Sequence, residues 1–218
     1  MTTENRQLKT DNQQPITKKM IQYITNTVTE LKPLLDAGLT WVQLRVKDKP
    51  ESEIEHLAEK ALEIMHSYNA ALIINDNVHI AKKVGAHGVH LGRTDMDVIE
   101  ARKIVGNHFI IGGSSNTIED IKYLMNAKVN YIGLGPLRFT ETKQNLNPVI
   151  GLEGYKNIIS QLPVLEKNIP IIAIGGIVPN DVKPLLEAGV FGIAVSAAIG
   201  KASNPAKAFN EFQEQFQF

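Results

Sequence analysis

The chain contains no cysteine. That absence excludes disulfides, thiolate nucleophiles, cysteine-ligated zinc and iron–sulfur clusters, so any catalysis must draw on carboxylates, Lys, Arg, His, hydroxyls, backbone dipoles or a hard metal. Net charge is missing too, because 23 Lys and Arg residues balance 23 Asp and Glu. With no global basic field there is no pointer to nucleic acid or membrane lipid, and a bound anion must be held by a local cluster. No apolar run is long enough for a signal-peptide core or a membrane span, so the expectation is a cytoplasmic protein with no membrane partner. Nor does a GxGxxG follow the first apolar run, which counts against a dinucleotide-binding sheet.

What the 218 residues do contain is an alternation. Residues 1–18 are polar and lack the apolar side chains that would offset the ordering of their backbone, so they are expected to form a mobile extension ahead of one domain, 19–218. Within that domain, apolar β-rich runs occur at 20–25, 40–46, 71–75, 88–91, 109–111, 131–134, 171–174 and 191–195. Segments of helical period lie between and after them at 29–37, 51–68, 77–84, 97–105, 117–127, 151–161, 180–188 and 204–215, with Ser52, Thr117 and Asn180 as expected capping residues. Eight strands each followed by a helix predict an α/β fold with a parallel sheet, most simply a (β/α)8 TIM barrel; an open doubly wound sheet has the same periodicity. The recurring Ala and Gly neighbours at Ala37-Gly38, Gly85-Ala86 and Ala188-Gly189 have a structural reading, since Gly ends a helix and lets the chain turn into the next strand.

The chemistry-bearing residues gather where the strands end, the face on which such barrels carry active sites. WVQLRVK (41–47) places Trp41, Gln43, Arg45 and Lys47 on one face and Val42, Leu44 and Val46 on the other. The first row should climb the barrel interior toward a charged mouth. Arg45, Lys47 and Lys143 supply enough positive charge for a diphosphate, Arg as a two-pronged grip and Lys as a point charge. Asp76 and Asp95 end adjacent strands and are hard oxygen ligands of the kind Mg2+ prefers when substrate phosphates and water complete its shell. The Gly175-Gly176 turn and the end of the last strand form a second anion site, built mainly of backbone N–H groups.

The ordered series QLRVK, IINDN, GVHLGRTD, GGSSNT, GLGPLRFTETK, IAIGGI and GIAVSAAI resembles the thiamine phosphate synthase family from Met20 to the C-terminus. The resemblance implies a (β/α)8 barrel that joins a hydroxymethylpyrimidine diphosphate to a thiazole phosphate, releasing pyrophosphate. It implies contacts to the pyrimidine diphosphate from Gln43, Arg45, Lys47, Asn75, Ser114 and Lys143, and Mg2+ held by Asp76 and Asp95. Thr140 and Thr142, with backbone from Gly176 and the Ser196 turn, are implied to hold the thiazole phosphate, and a homodimer is implied as the assembly. Three positions depart from the family pattern: Arg93 where Gln is usual, the stretch Gly112-Gly113-Ser114-Ser115-Asn116, and Ser196-Ala197 where Val-Ser is usual. Arg93 could add a cation near the diphosphate, pair with Asp95, or face solvent. Two other functions fit the same barrel: a thiazole phosphate tautomerase, which needs a base but no diphosphate grip, and a phosphate-ligand sensor without turnover.

Overall fold

The structure, a computed structural model, describes residues 20–140, 148–162 and 169–216. The polar stretch 1–18, Thr142 and Lys143 lie outside them. Eight strands close into a barrel in chain order among these residues. They are β1 (Ile21–Thr25), β2 (Trp41–Leu44), β3 (Ala71–Asn75), β4 (Gly88–Leu91), β5 (Ile110–Ser115), β6 (Tyr131–Leu134), β7 (Ile171–Ile174) and β8 (Gly192–Val195). Every neighbouring pair is parallel, including β1 with β8, so the open-sheet alternative is excluded. The helices are α1 (Leu31–Asp36), α2 (Glu51–Met65), α3 (Val78–Val84), α4 (Val98–Val105), α5 (Ile118–Asn126), α6 (Gly151–Ser160), α7 (Val182–Glu187), α8 (Ala197–Gly200) and α9 (Pro205–Glu214).

Strand parity divides the apolar residues into two cores, because successive side chains of a strand point to opposite faces of the sheet. Val42, Leu44, Leu72, Ile74, Val89 and Ile132 point outward into the layer between sheet and helices. Ile24, Trp41, Ile73, Tyr131, Ile172 and Ala194 fill the barrel lumen. Tyr131 meets the edge of Trp41 with ring centroids 4.8 Å apart, and it occupies a notch that exists because residue 112 is glycine. This plug of large rings closes the lower lumen and leaves the upper end open for a ligand.

Most strand limits agree with the periodicity to within a residue, and the exceptions have identifiable causes. β5 continues through Gly112-Gly113-Ser114, a stretch whose composition reads as a turn, because β4 and β6 both pair with it. β2 stops at Leu44 and not at Val46, although the Arg45 N–H still donates to the Thr25 carbonyl at 2.7 Å. Thr117 caps α5 as expected, in a reciprocal capping box with Asp120. Ser52 does not cap α2: the helix starts one residue earlier, after Pro50, and Glu51 and Glu53 set negative charge against its N-terminal dipole. Asn180 is no cap either. It sits inside a 3-10 turn, Pro179–Asp181, where the Asp181 carboxylate accepts the Val178 N–H at 2.7 Å. Gly38, Gly85 and Gly189 all have positive φ where helices give way to strands, as the Ala-Gly pattern predicts.

Candidate active site

Above the aromatic plug lies a cavity of about 270 Å³, open at the C-terminal ends of the strands. Gln43, Arg45, Ser114, Thr140, Gly176 and Ser196 line it, so six of the expected contacts converge on one space. Gln43 and Arg45 come from the inward row of β2 and its continuation, as strand parity requires. Val42 and Leu44 face the helices instead, with Val46 packed against the same layer.

Lys47, Asn75, Asp76 and Asp95 are not part of that wall. Asn75 ends β3 opposite His90, while Lys47, Asp76 and Asp95 form a charged cluster at the rim. Lys47 makes an ion pair with Asp76, and the lysine side chain is 46% exposed. Asp76 is held in the left-handed region at φ 64, a conformation that costs free energy in a non-glycine residue and often marks a functional turn. Its N–H donates to the His90 carbonyl at 2.8 Å, which joins the ends of β3 and β4. Asp95 lies within hydrogen-bonding reach of Asp76. Burial raises the Asp95 carboxyl above its ordinary value and the adjacent Asp76 carboxylate adds to the rise, against a Gly92 N–H that donates to it at 2.7 Å.

Two carboxylates pressed together with an ammonium on one of them make a cluster suited to a small divalent cation. No group of three His, Asp or Glu side chains that could enclose a metal exists among the described residues. Such a cation would therefore take two protein oxygens and complete its shell with phosphate oxygens and water, which suits Mg2+.

The wall formed by β6, β7 and β8 has a different character. Gly176 has φ 65, and a Cβ there would stand 2.5 Å from the Arg138 Cγ, so both conformation and space demand glycine. Arg138 grips both oxygens of Asp181, at 2.6 and 2.8 Å, and donates to the Gly176 carbonyl at 2.6 Å. Burial pulls the Asp181 carboxyl up, but Arg138 and the Val178 N–H outweigh it and hold the carboxyl below its ordinary range. The clamp fixes the Gly176–Val178 backbone beside the cavity. Across from it, Ser196 makes no side-chain cap for α8, whose opening residues Ala197 and Ala198 also line the space. The first N–H groups of a helix have no acceptor within it and are available to an anion.

Arg93 does not join the diphosphate side and does not pair with Asp95. It reaches Asp120 at 3.5 Å, near the start of α5, with its side chain 53% exposed. Residues that the motifs left without a role complete the site: Gln22, His90 and Tyr131 line the cavity floor, and Arg138 supports the backbone wall. Inward strand parity marks the first three, yet their mutual hydrogen bonds have no sequence signature.

Over residues 14–199 the chain matches the family described as thiamine monophosphate synthase. The chain belongs to that family. Thiamine-phosphate synthase of Phocaeicola vulgatus is 44% identical over 190 residues, covering 86% of this chain and 91% of that protein. The protein of that name from Flavobacterium psychrophilum is 45% identical over 191 residues, covering 85% of this chain and 93% of the relative. Among solved structures, thiamine phosphate pyrophosphorylase from Pyrococcus furiosus has a TM-score of 0.78 at 29% identity, covering 91% of this chain and 95% of that one. No helix among the described residues is long and apolar enough to cross a membrane.

Proposed function

We infer that the chain is a thiamine-phosphate synthase, a transferase that joins hydroxymethylpyrimidine diphosphate to a thiazole phosphate and releases pyrophosphate. The observation that carries the substrate assignment is the two-sided cavity: Arg45 lines one side and a backbone wall at Gly176 and Ser196 the other, while the Lys47–Asp76–Asp95 cluster lies outside the lining at the ends of the neighbouring strands. A tautomerase would have no use for the cationic edge, and the relatives named above are synthases.

The reaction we propose is dissociative. The bond from the pyrimidine methylene carbon to the diphosphate oxygen breaks first, its electron pair leaves with the diphosphate, and the thiazole nitrogen then donates a pair to the cationic carbon. Arg45 grips diphosphate oxygens as charge grows on them, and Lys47, with Lys143 in the same role, adds point charges. Ser114 donates a hydrogen bond to the same group, while Gln43 and Asn75 orient the pyrimidine. Thr140, Thr142 and the backbone at Gly176 and Ser196 fix the thiazole phosphate, so that the nucleophile waits next to the cation. Asp76 and Asp95 would hold Mg2+, which when bound neutralises charge on the diphosphate. No side chain serves as a covalent nucleophile. Family resemblance also supports a cytoplasmic homodimer, which sedimentation of the purified chain would check.

Purified protein incubated with both substrates, with and without Mg2+, should form thiamine phosphate and pyrophosphate in equal amounts and only with metal. Product formed without metal would remove the roles of Asp76 and Asp95, whereas tight thiazole phosphate binding without coupling would overturn the synthase assignment. Asp95→Asn should raise the Mg2+ concentration for half-maximal rate at least about tenfold, the scale on which even supporting residues weaken a metal site. An amide oxygen can still accept the Gly92 N–H, so its thermal melt should match the parent protein. Unchanged metal dependence would make Asp95 a loop cap and nothing more.

A further inference from the structure

The cavity floor is a chain of buried polar groups whose hydrogen-bond directions fix one another. Gln43 Nε2 donates to Gln22 Oε1 at 3.0 Å, and Gln22 Nε2 donates to the Tyr131 hydroxyl at 3.1 Å. The Gln43 amide stands beside the same hydroxyl. The same oxygen is 3.0 Å from His90 Nδ1, and His90 Nε2 is 2.9 Å from Ser114 Oγ. Tyr131 is fully buried and its ring stacks on His90 with centroids 5.4 Å apart. Burial raises the phenol well above its ordinary value despite the amides of Gln22 and Gln43 beside it, so the O–H proton stays in place.

A phenol oxygen accepts two hydrogen bonds and donates one. Among the described residues its hydrogen-bonding partners are Gln22 Nε2, which donates, and His90 Nδ1, the one that can accept, so its own proton goes to His90 Nδ1. His90 is then a neutral imidazole with its hydrogen on Nε2, and that hydrogen goes to Ser114 Oγ. The Ser114 hydroxyl has no other hydrogen-bonding partner among the described residues, and Ser114 lines the cavity. With its oxygen already accepting from His90, its hydroxyl hydrogen is directed at the ligand.

We propose that Tyr131 is a positioning residue: through a fixed tautomer of His90 it makes His90 the donor to Ser114 and leaves the Ser114 hydroxyl hydrogen for an acceptor atom of the ligand. This inference rests on the synthase reading only in naming that acceptor, a diphosphate oxygen whose charge grows as it departs. A ligand presenting only a donor at the same point, such as an ammonium, leaves that hydrogen without an acceptor and binds less well.

Two measurements test it. Long-range 1H–15N spectra of imidazole-labelled protein, with His90 assigned from a His90→Gln variant, should show His90 protonated on Nε2 and bare on Nδ1. The opposite tautomer, which requires both glutamine amides to be turned over, overturns the proposal whatever the activity. The second is a double-mutant cycle on turnover. Tyr131→Phe keeps the ring in its notch but removes the hydroxyl, and should lower kcat about tenfold with little change in KM. His90→Gln carries an amide NH2 that can donate to Ser114 without any tautomer to choose. In that background the same Tyr131 change should cost less than about twofold. Equal losses in both backgrounds would mean that Tyr131 acts only through packing, since damage to folding is common to both arms of the cycle. If the parent protein makes no thiamine phosphate, the synthase reading fails while the tautomer measurement still decides the relay.

Discussion

Arg45→Ala should reduce turnover about a hundredfold to a thousandfold, the scale seen when one preorganised donor to a developing anion is removed. Arg45 follows β2 directly, lines the cavity, and is placed by a backbone hydrogen bond of 2.7 Å to Thr25. Its effect should appear in kcat because charge on the leaving diphosphate is greater in the transition state than in the bound substrate. Thermal stability should change little, since the side chain stands at the mouth and the packing below it belongs to Trp41, Ile73 and Tyr131. Arg45→Lys should recover only part of the loss, because an ammonium cannot bridge two oxygens with a planar fork. Steady-state rates of pyrophosphate release, measured alongside melting curves, check all three statements. A parallel collapse of rate and melting temperature would reassign Arg45 to structure.

The second large effect concerns folding. Gly112→Ala would place a Cβ 2.1 Å from Tyr131 Cζ and 2.5 Å from its hydroxyl oxygen. Contacts that short cannot persist, and the ring has no easy escape: Trp41 meets its edge at 4.8 Å and His90 stacks on it. Overpacking typically costs about 1–3 kcal/mol, and a pinned ring puts this case at the upper end. At about 2–4 °C per kcal/mol for a chain of this size, the melting temperature should fall by about 6–12 °C. Tyr131→Leu in the same chain removes the clashing atoms, so the double variant should be more stable than the sum of the two single changes predicts. Simple additivity, or a Gly112→Ala melt equal to the parent, would show that the notch is not needed.

The pattern of apolar runs and helical periods carries the barrel, because parallel strands buried on both faces must be apolar and their connecting helices must be amphipathic. It misleads at Gly112-Gly113-Ser114, where small residues in a strand mark close approach of a ring, a feature created by Tyr131 some twenty residues later. Site residues on the inward rows of strands are legible from parity alone, as Gln43 and Arg45 illustrate. Side-chain partnerships are not. Nothing in HLGRTD says that Arg93 will turn to Asp120 while Asp95 turns to Asp76, for that depends on reach across neighbouring loops. The relay from Tyr131 through His90 to Ser114 is hidden for the same reason, since it crosses three strands.

One buried hydroxyl gives access to the barrel's motions. Tyr155, from α6, donates to the Leu134 carbonyl and accepts the Ile174 N–H at 3.3 Å, so a helix side chain stitches β6 to β7 at the mouth. The Ile174 amide is therefore shielded by α6. Its hydrogen–deuterium exchange should follow the undocking of that helix, at a free energy below that of global unfolding. Occupancy of the neighbouring phosphate wall should slow this amide while leaving those deep in β3 and β4 unchanged, giving a readout of ligand-coupled breathing at a single seam.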